Sequence, residues 1–522
     1  GEADHSLRGP PRQRRAGEAL AALRGEVATL RHLDAAIDLL GWDEETMLPV
    51  GAREERGEQL ATIEALRHRN LVSPWLGDWL GEAVAGVEPG SSDEVELQIL
   101  ARRRDHALLV PEGLVRAWAE ARSRSLAAWE QARVDGRYAT WAPAFGTLLD
   151  RTRERAQALA QRSSDRTPGA AYDALLDEHD LGMTRATVGP VLRRLRDELL
   201  PLIDAVSSDA APARWRTGHT WADPAQDAFC RELCASLGFD FDRGRLDRST
   251  HPFTLMAGER DVRMTVKVDE RDPFVAIFGA LHEVGHGLYD QGLAVAHHQR
   301  LIGTAPGMAV HESQARLVEN LVGRSRGFWQ WQLPKLRERF PDALRGVSLD
   351  VFLAEINRVQ RGSRRVTADE VTYNLHVVVR YELEELLIAG HLGPADLPAA
   401  WNQAMVPLAG KPPASDLEGC LQDVHWAVGS FGYFPSYTVG NLYAAQLFEA
   451  WQRDHADGLD AIAAGHPEVL TGWLADRVWR HGHRWTEDEL IRRATGSGLD
   501  SGPFVRYVRE KYGARPASDL RT

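Results

Sequence analysis

Apolar residues recur at helical spacing along almost the whole chain. Leu20, Leu23, Val27, Leu30 and Leu33 follow one another at steps of three or four residues, which places them on one face of an α-helix. Five later segments show the same spacing: Leu97–Leu109, Leu114–Trp129, Leu192–Val206, Val371–Ile388 and Leu442–Trp451. The pattern predicts a mainly α protein.

The two ends of the chain lack this periodicity. Residues 1–15 are rich in Pro and Arg, so we predict a disordered N-terminal tail there. Residues 516–522 are predicted to be a short C-terminal tail. The Pro, Gly and Ser clusters between the helical segments are too short for interdomain linkers. Residues 16–515 are therefore predicted to form a single large domain.

One segment departs from the helical pattern. Apolar and polar residues alternate through Val262–Val268, which is typical of a half-buried β-strand. Asp272 follows as a good N-cap, and Pro273 suits the first position of a helix. That helix is expected to end at Gly292. We predict a small β element directly before an apolar helix.

This helix contains an H-E-x-x-H motif, His282-Glu283-Val284-Gly285-His286. Residues four apart lie above one another on a helix, so both imidazoles can reach one Zn²⁺ ion. Glu283 is rotated by about 100° from His282. That position suits a general base that accepts a proton from the attacking water. The motif predicts a metal site with zinc as the first choice, while cobalt or manganese can use the same ligands.

A zinc site of this kind needs a third protein ligand. Asp290, Glu312 and Glu319 are the acidic candidates downstream, and spacing alone does not choose among them. Arg316 lies one turn from both Glu312 and Glu319 and is able to pair with either. For Glu319 we favour a surface salt bridge.

Composition and charge narrow the class of protein. The 522 residues are 43% apolar and 26% charged, as in an ordinary globular protein. No apolar run reaches the roughly 18 residues that span a bilayer, so we predict no membrane association. The net charge of −13 argues against a nucleic-acid partner. Three cysteines are too few for a disulfide framework, and a cytoplasmic location is expected.

Six short motifs together resemble the M32 family of metallocarboxypeptidases, the carboxypeptidase Taq type, from about Ala16 to Gly513. These motifs are W-D-Q-E-T-M at Trp42–Met47 with Glu44 in place of Gln, D-x-R-x-T at Asp261–Thr265, H-E-x-x-H at His282–His286, H-E-S-Q-S-R at His311–Arg316 with Ala315 in place of the second Ser, R-x-x-A-D at Arg365–Asp369 preceded by Arg364 where the family has Ile or Val, and G-x-x-Q-D-x-H-W at Gly419–Trp426. Six motifs in the same order are far more specific than H-E-x-x-H alone.

The resemblance implies that Glu312 is the third metal ligand. It also implies a helical fold with a deep substrate groove, often in a homodimer. The implied activity is the release of single amino acids, with broad specificity, from peptides with a free C-terminus. Arginine matches the geometry of a terminal carboxylate, and the family match makes Arg365 the candidate anchor. An ion pair with Asp369 is the alternative for Arg365.

Arg263 is a further candidate for substrate binding, although pairing with Asp261 would instead brace the strand. Hydrolysis develops negative charge on the carbonyl oxygen, which hydrogen-bond donors stabilise. The segment from His425 to Tyr437 is similar to the donor segment of related helical zinc peptidases, in which a His and a Tyr twelve residues later contact the intermediate. Tyr437 has that spacing, and Tyr433 is the alternative.

Two other functions remain open at this point. A helical zinc oligopeptidase would cut internal peptide bonds, and it would not require a free C-terminus. A protein that binds metal or peptide without catalysis would have no need of Glu283.

Overall fold

The computed structural model describes residues 11–161 and 169–513 of the chain. Within these ranges the chain forms twenty-one α-helices. They are α1 Pro11–Thr46, α2 Arg53–Val72, α3 Pro74–Val84, α4 Ser92–Leu109, α5 Glu112–Asp135, α6 Ala142–Ala160, α7 Ala170–His179, α8 Arg185–Val206, α9 Arg214–Thr217, α10 Asp223–Ser236, α11 Pro273–Gly292, α12 Met308–Arg316, α13 Arg326–Arg339, α14 Leu349–Ile356, α15 Tyr373–Ala389, α16 Leu397–Ala409, α17 Phe434–Asp454, α18 Gly458–Ala463, α19 Glu468–Arg477, α20 Glu487–Thr495 and α21 Gly502–Tyr512. The prediction of a mainly α protein is confirmed.

A three-stranded sheet is inserted between α10 and α11. The strands are β1 Gly244–Arg248, β2 Thr254–Gly258 and β3 Asp261–Val266. The central strand β3 runs parallel to β1 and antiparallel to β2. The predicted strand corresponds to β3, in which Val262, Met264 and Val266 are fully buried. The two outer strands were not predicted, because each is short and lacks a clear alternation of apolar residues.

Helices α11 and α17 lie in the interior of the main core. Almost every residue of α17 is buried, from Phe434 to Trp451. A helix that is buried on nearly all sides must be surrounded by other elements of the fold. α17 packs against α12 and α15, so the motif helices and the aromatic C-terminal segment share one core.

The first four helices add a smaller core of their own. Leu23, Val27 and Leu30 of α1 are buried against α3 and α4, as their spacing predicts. Leu301 joins this cluster from the segment between α11 and α12. The N-terminal helices therefore lie opposite the H-E-x-x-H helix and form the other wall of a groove.

The first helix begins at Pro11, so residues 11–15 of the predicted tail are helical. Residues 1–10 and the predicted tail at 516–522 lie outside the described ranges, and the prediction of a single domain over residues 16–515 stays a prediction. None of the helices in those ranges combines the length and the apolar character that crossing a bilayer requires.

Candidate metal centre

Helix α11 presents the two histidines from a well-defined start. The Asp272 side chain accepts the N–H of Phe274 at 3.1 Å, and Pro273 occupies the first helical position. The predicted N-terminus is therefore confirmed. His282 and His286 lie on the same face, with ring centres 4.9 Å apart.

Two glycines allow the neighbouring helices to approach closely. A Cβ at Gly285 would lie 2.5 Å from the carbonyl oxygen of Gln314 and 2.6 Å from Cα of Ala315, so only glycine fits between α11 and α12. A Cβ at Gly440 of α17 would lie 2.6 Å from Cγ of Glu312. Gly285 thus lets α12 approach α11, and Gly440 leaves room for the Glu312 side chain beside α17.

His282, His286 and Glu312 bring three ligand atoms together. The Oε2 atom of Glu312 lies 3.4 Å from Nε2 of His286 and 3.7 Å from Nε2 of His282. The ligand atoms all lie within 4.8 Å of one another, and no other such group of three is found in the part of the chain that the structure describes. Two imidazole nitrogens and one carboxylate oxygen are the donor set of catalytic zinc sites. The residues therefore fit a divalent ion.

Glu319 does not form the surface salt bridge that we expected. Its Oε2 atom accepts a hydrogen bond from Nδ1 of His282 at 2.9 Å, and only 14% of its side chain is exposed. Arg316 binds both acids, with Nε 2.6 Å from Oε1 of Glu312 and Nη1 3.1 Å from Oε2 of Glu319. A carboxylate on the second ring nitrogen orients a metal-binding histidine. Glu312, Arg316 and Glu319 are spaced at i, i+4 and i+7. This spacing was the sequence signal that the three side chains share one helix face.

The charge state of the site suits a cation. Burial raises the pKa of Glu312, but the charges of Arg316 and His282 outweigh burial and hold this pKa well below its usual value. Burial, assisted by the neighbouring His311, lowers the pKa of His286 to about 4. At neutral pH the site therefore offers an ionised carboxylate and a neutral His286 imidazole, the forms that bind a metal. Burial lowers the pKa of His282, but Glu312 and Glu319 outweigh burial and raise this pKa to about 9, so a metal that binds His282 displaces a proton.

Glu283 lies beside the ligand cluster and is 4% exposed. Burial raises its pKa, while His282 and the Thr254 hydroxyl act in the opposite direction. That hydroxyl donates to Oε2 of Glu283 at 2.6 Å. Thr254 lies on β2 opposite Met264 of β3, so the sheet positions a partner for Glu283. The role of Thr254 was not predictable from the sequence, because strand pairing decides its location.

The aromatic segment supplies two tyrosines to the site. Tyr433 and Tyr437 both line the cavity next to Glu312, with ring centres 5.1 Å apart. His425 lies behind them, with Nε2 3.1 Å from the hydroxyl oxygen of Tyr437. Burial and the nearby Arg365 lower the pKa of His425 to about 3, so this imidazole is neutral.

A buried carboxylate holds the turn that precedes Tyr433. Gly432 has a φ of +78°, and a Cβ there would lie 2.6 Å from the carbonyl carbon of Leu175. Its N–H donates to Oε2 of Glu384 at 2.9 Å. Tyr172 and Trp426 donate to the same carboxylate. Three hydrogen-bond donors on the buried Glu384 carboxylate thus hold the turn that directly precedes α17.

Arg365 does not lie where an anchor for the substrate carboxylate was expected. Its guanidinium donates to Oδ1 of Asp423 at 2.8 and 3.0 Å and to the Tyr373 hydroxyl at 2.9 Å, and 8% of the residue is exposed. Asp369, the alternative partner, instead accepts backbone N–H groups such as that of Thr372. Asp423 also accepts a hydrogen bond from Nε of Arg380 at 2.6 Å. Arg365 therefore lies in a buried ion cluster behind the tyrosines.

Arg263 also has protein partners. Its guanidinium forms a two-pronged pair with Asp261, at 2.8 and 2.9 Å. Its central carbon lies 4.4 Å from the ring centre of Trp42, on α1. These contacts connect the sheet to the N-terminal helix. Neither Arg263 nor Arg365 is among the described residues that line the cavity.

The ligand cluster opens into a cavity of about 1440 Å³. One wall consists of β2, α11, α12 and the start of α17, and the other consists of α1, α2 and α4. Arg31, Arg67 and Arg103 of the N-terminal helices face this space, together with Asp34 and Asp38. The cavity is large enough for several residues of an extended peptide and matches the deep groove that we expected.

Replacing Gly285 with Ala is expected to destabilise the protein by roughly 1–3 kcal/mol, because the new methyl group meets the backbone of α12. Gly279→Ala is the matched control on the same helix, since its nearest neighbour is Cγ of Pro252 at 4.0 Å. Chemical denaturation should separate the two variants. An equal free energy of unfolding for both would contradict the packing argument.

A buried H-E-x-x-H helix beside an acidic residue of the next helix, at the wall of a deep cavity, is typical of the class of metallopeptidases. The family model described as carboxypeptidase Taq (M32) metallopeptidase matches residues 22–512, and the chain belongs to this family. It is accordingly a metallocarboxypeptidase, a hydrolase that acts on peptide bonds.

Individual relatives agree with this membership. The chain is 38% identical over 503 residues to thermostable carboxypeptidase 1 of Thermus thermophilus, covering 95% of this chain and 98% of that protein. It is 31% identical over 485 residues to carboxypeptidase 1 of Bacillus subtilis, covering 92% and 96%. The crystal structure of the M32 carboxypeptidase from Deinococcus radiodurans is similar with a TM-score of 0.91 and 37% identity, covering 95% of this chain and 99% of that one.

Proposed function

We propose that this enzyme binds one zinc ion through His282, His286 and Glu312 and removes single amino acids from the C-terminus of peptides. The observation that carries the proposal is the convergence of the three ligand atoms within 4.8 Å at the wall of the cavity. Two nitrogens and one oxygen suit zinc, and cobalt or manganese accept the same donors.

A divalent ion in this position supplies Lewis acidity, which polarises the substrate carbonyl and acidifies water. Glu283 is the general base in our proposal. It accepts a proton from the attacking water and delivers that proton to the leaving amine. The hydrogen bond from Thr254 holds the carboxylate of Glu283 in one orientation.

The hydroxyl of Tyr437 is proposed to stabilise the negative charge that develops on the carbonyl oxygen. If the neutral His425 donates its Nε2–H to the tyrosine oxygen, the Tyr437 proton remains available for the substrate. Tyr433 also lines the cavity and is the second candidate donor. Donors that are already oriented act without reorganisation during the reaction.

Recognition of the terminal carboxylate is assigned here to the N-terminal wall of the cavity. Arg365 and Arg263 are committed to Asp423 and Asp261, which speaks against the substrate-binding roles expected from the sequence. Arg31, Arg67 and Arg103 line the cavity. Arg67 and Arg103 also pair with Asp34 at 3.0 and 3.3 Å, so Arg31 is the first candidate. Arginine is the side chain best matched to a carboxylate.

Digestion of one peptide in two forms tests the proposed activity. With a free C-terminus, mass spectrometry should reveal products that are successively one residue shorter. The same peptide with an amidated C-terminus should stay uncut. Chelation should abolish cleavage and added zinc should restore it. Cleavage of both forms at an internal bond would instead indicate an oligopeptidase.

Two further parts of the proposal concern the assembly and the compartment. The resemblance to M32 enzymes supports a homodimer. Cys230, Cys234 and Cys420 are free and buried, which is compatible with the reducing cytoplasm. The net charge of −13 disfavours nucleic acid as a partner.

A further inference from the structure

His286 makes polar contacts through both of its ring nitrogens. Its Nε2 atom faces Glu312, whereas its Nδ1 atom lies 2.5 Å from Nδ1 of His311. The other nitrogen of His311, Nε2, lies 2.9 Å from Oδ1 of Asp290. Asp290 is 7% exposed. The three side chains thus form a continuous chain that runs from the metal centre to a buried carboxylate.

The arrangement of protons along this chain follows from donor and acceptor chemistry. A carboxylate only accepts, so the proton on Nε2 of His311 points to Asp290. Burial lowers the pKa of His311, but Asp290 outweighs burial and raises it. In its neutral form His311 has a lone pair at Nδ1, and this lone pair accepts the Nδ1–H of His286. Two protons do not fit between nitrogens 2.5 Å apart. His286 therefore has no proton on Nε2, which is the form that binds a metal.

The opposite arrangement would disable the ligand. If His311 donated its Nδ1–H to His286, a neutral His286 would hold its own proton on Nε2, in front of Glu312. Asp290 prevents this because it requires a donor on the far side of His311. Glu319 acts directly on His282, whereas Asp290 acts on His286 through a second imidazole.

The helices that supply the ligands also supply this pair. Asp290 lies one turn after His286 on α11, and His311 directly precedes Glu312 on α12. The ring of Tyr289 packs against His311, with ring centres 5.1 Å apart. Close packing of the two helices at Gly285 therefore aligns the ligands and the chain of contacts behind them together.

We propose that His311 and Asp290 are positioning residues of the metal centre, which select the metal-binding tautomer of His286 and hold its ring in place. The inference rests on the metal site of the proposed function. Neither residue needs to touch the metal or the substrate for this role. Their effect should therefore appear in metal affinity, before any turnover.

The test compares variants of the metal-free protein by zinc titration against a chromophoric chelator. His311→Phe keeps a planar ring but removes the acceptor, and it should weaken zinc binding roughly 10- to 100-fold. His311→Gln can still accept from His286 and donate to Asp290, so it should recover most of the affinity. Tyr289→Phe is the matched control, because the buried Tyr289 hydroxyl has no hydrogen-bond partner among the described residues. The control should bind zinc like the original protein.

Two further measurements separate positioning from a general loss of structure. The visible absorption spectrum of the Co²⁺ form should change in His311→Phe, since the orientation of one ligand changes. Asp290→Leu removes the carboxylate at the far end of the contacts from His286 through His311, and it should also bind zinc more weakly. This variant tests the proposal if His311→Phe does not fold. Unchanged zinc affinity in a folded His311→Phe or Asp290→Leu variant would overturn the proposal. If the original protein binds no divalent ion, the metal site itself fails instead.

Discussion

Replacing Glu283 with Gln is expected to lower kcat by roughly 10²- to 10⁴-fold, the contribution of a well-placed acid or base. Metal content should stay unchanged, because Glu283 is not part of the ligand cluster. Gln keeps the size of the side chain and can still accept the hydrogen bond from the Thr254 hydroxyl. Its neutral amide, however, does not act as a base toward water. The measurement is kcat on a peptide with a free C-terminus, together with the metal-to-protein ratio.

Glu283→Asp is the matched control for this experiment. It keeps the carboxylate and withdraws it by one methylene group, and a displacement near 1 Å costs about 10²-fold. The Asp variant should therefore be slower than the original enzyme and faster than the Gln variant. Equal turnover of the Gln and Asp variants, with metal bound in both, would exclude Glu283 as the base.

Replacing Glu312 with Gln is expected to weaken metal binding by more than about 100-fold. A change in a residue that contacts only a ligand, and not the metal, costs roughly 10- to 100-fold in affinity. Gln is nearly the same size, but it removes the negative charge that faces both imidazoles. Competition with a chelator measures the affinity directly. Activity should fall in parallel and recover partly at high zinc concentration.

Glu319→Gln is the matched control, because Arg316 loses one charged partner in either variant. Glu319 contacts His282 on the nitrogen that faces away from Glu312. Its replacement should therefore weaken metal binding by no more than about 100-fold. A greater loss of affinity in Glu319→Gln than in Glu312→Gln would instead indicate that Glu319 is the third ligand and that Glu312 lies behind it.

The ion cluster behind the tyrosines explains why His425 stays neutral. Arg365 and Arg380 share one carboxylate, Asp423, so this buried group is net positive. Burial already disfavours a protonated imidazole, and the two guanidinium groups add to that effect. A neutral imidazole is free to donate to Tyr437 through one nitrogen. In this arrangement Arg365 lies behind the tyrosines and is not among the described residues that line the cavity.

The H-E-x-x-H helix was predictable because every signal for it is local. Asp272 and Pro273 begin the helix, Gly292 ends it, and the four-residue step places His282 and His286 on one face. The same step continues to Asp290, although its role in the chain behind His286 requires a contact from α12. Local spacing thus indicates that a metal site exists, but it does not identify every residue that supports the site.

The outer strands and the partners of the charged residues were not predictable in this way. β1 and β2 become strands because they pair with β3. The location of Thr254 beside Glu283 follows from that pairing. Spacing left Asp290, Glu312 and Glu319 open as ligands, and the resemblance alone favoured Glu312 before the structure brought the three ligand atoms together.

The sequence by itself determined the helical class, the H-E-x-x-H face and, through six ordered motifs, the family. Only the tertiary structure decided which buried charges meet. Arg365 pairs with Asp423, 58 residues away, and not with Asp369 four residues away. The physical reason is that helix geometry depends on neighbours along the chain, whereas a buried ion pair depends on which distant segments exclude water from the same space.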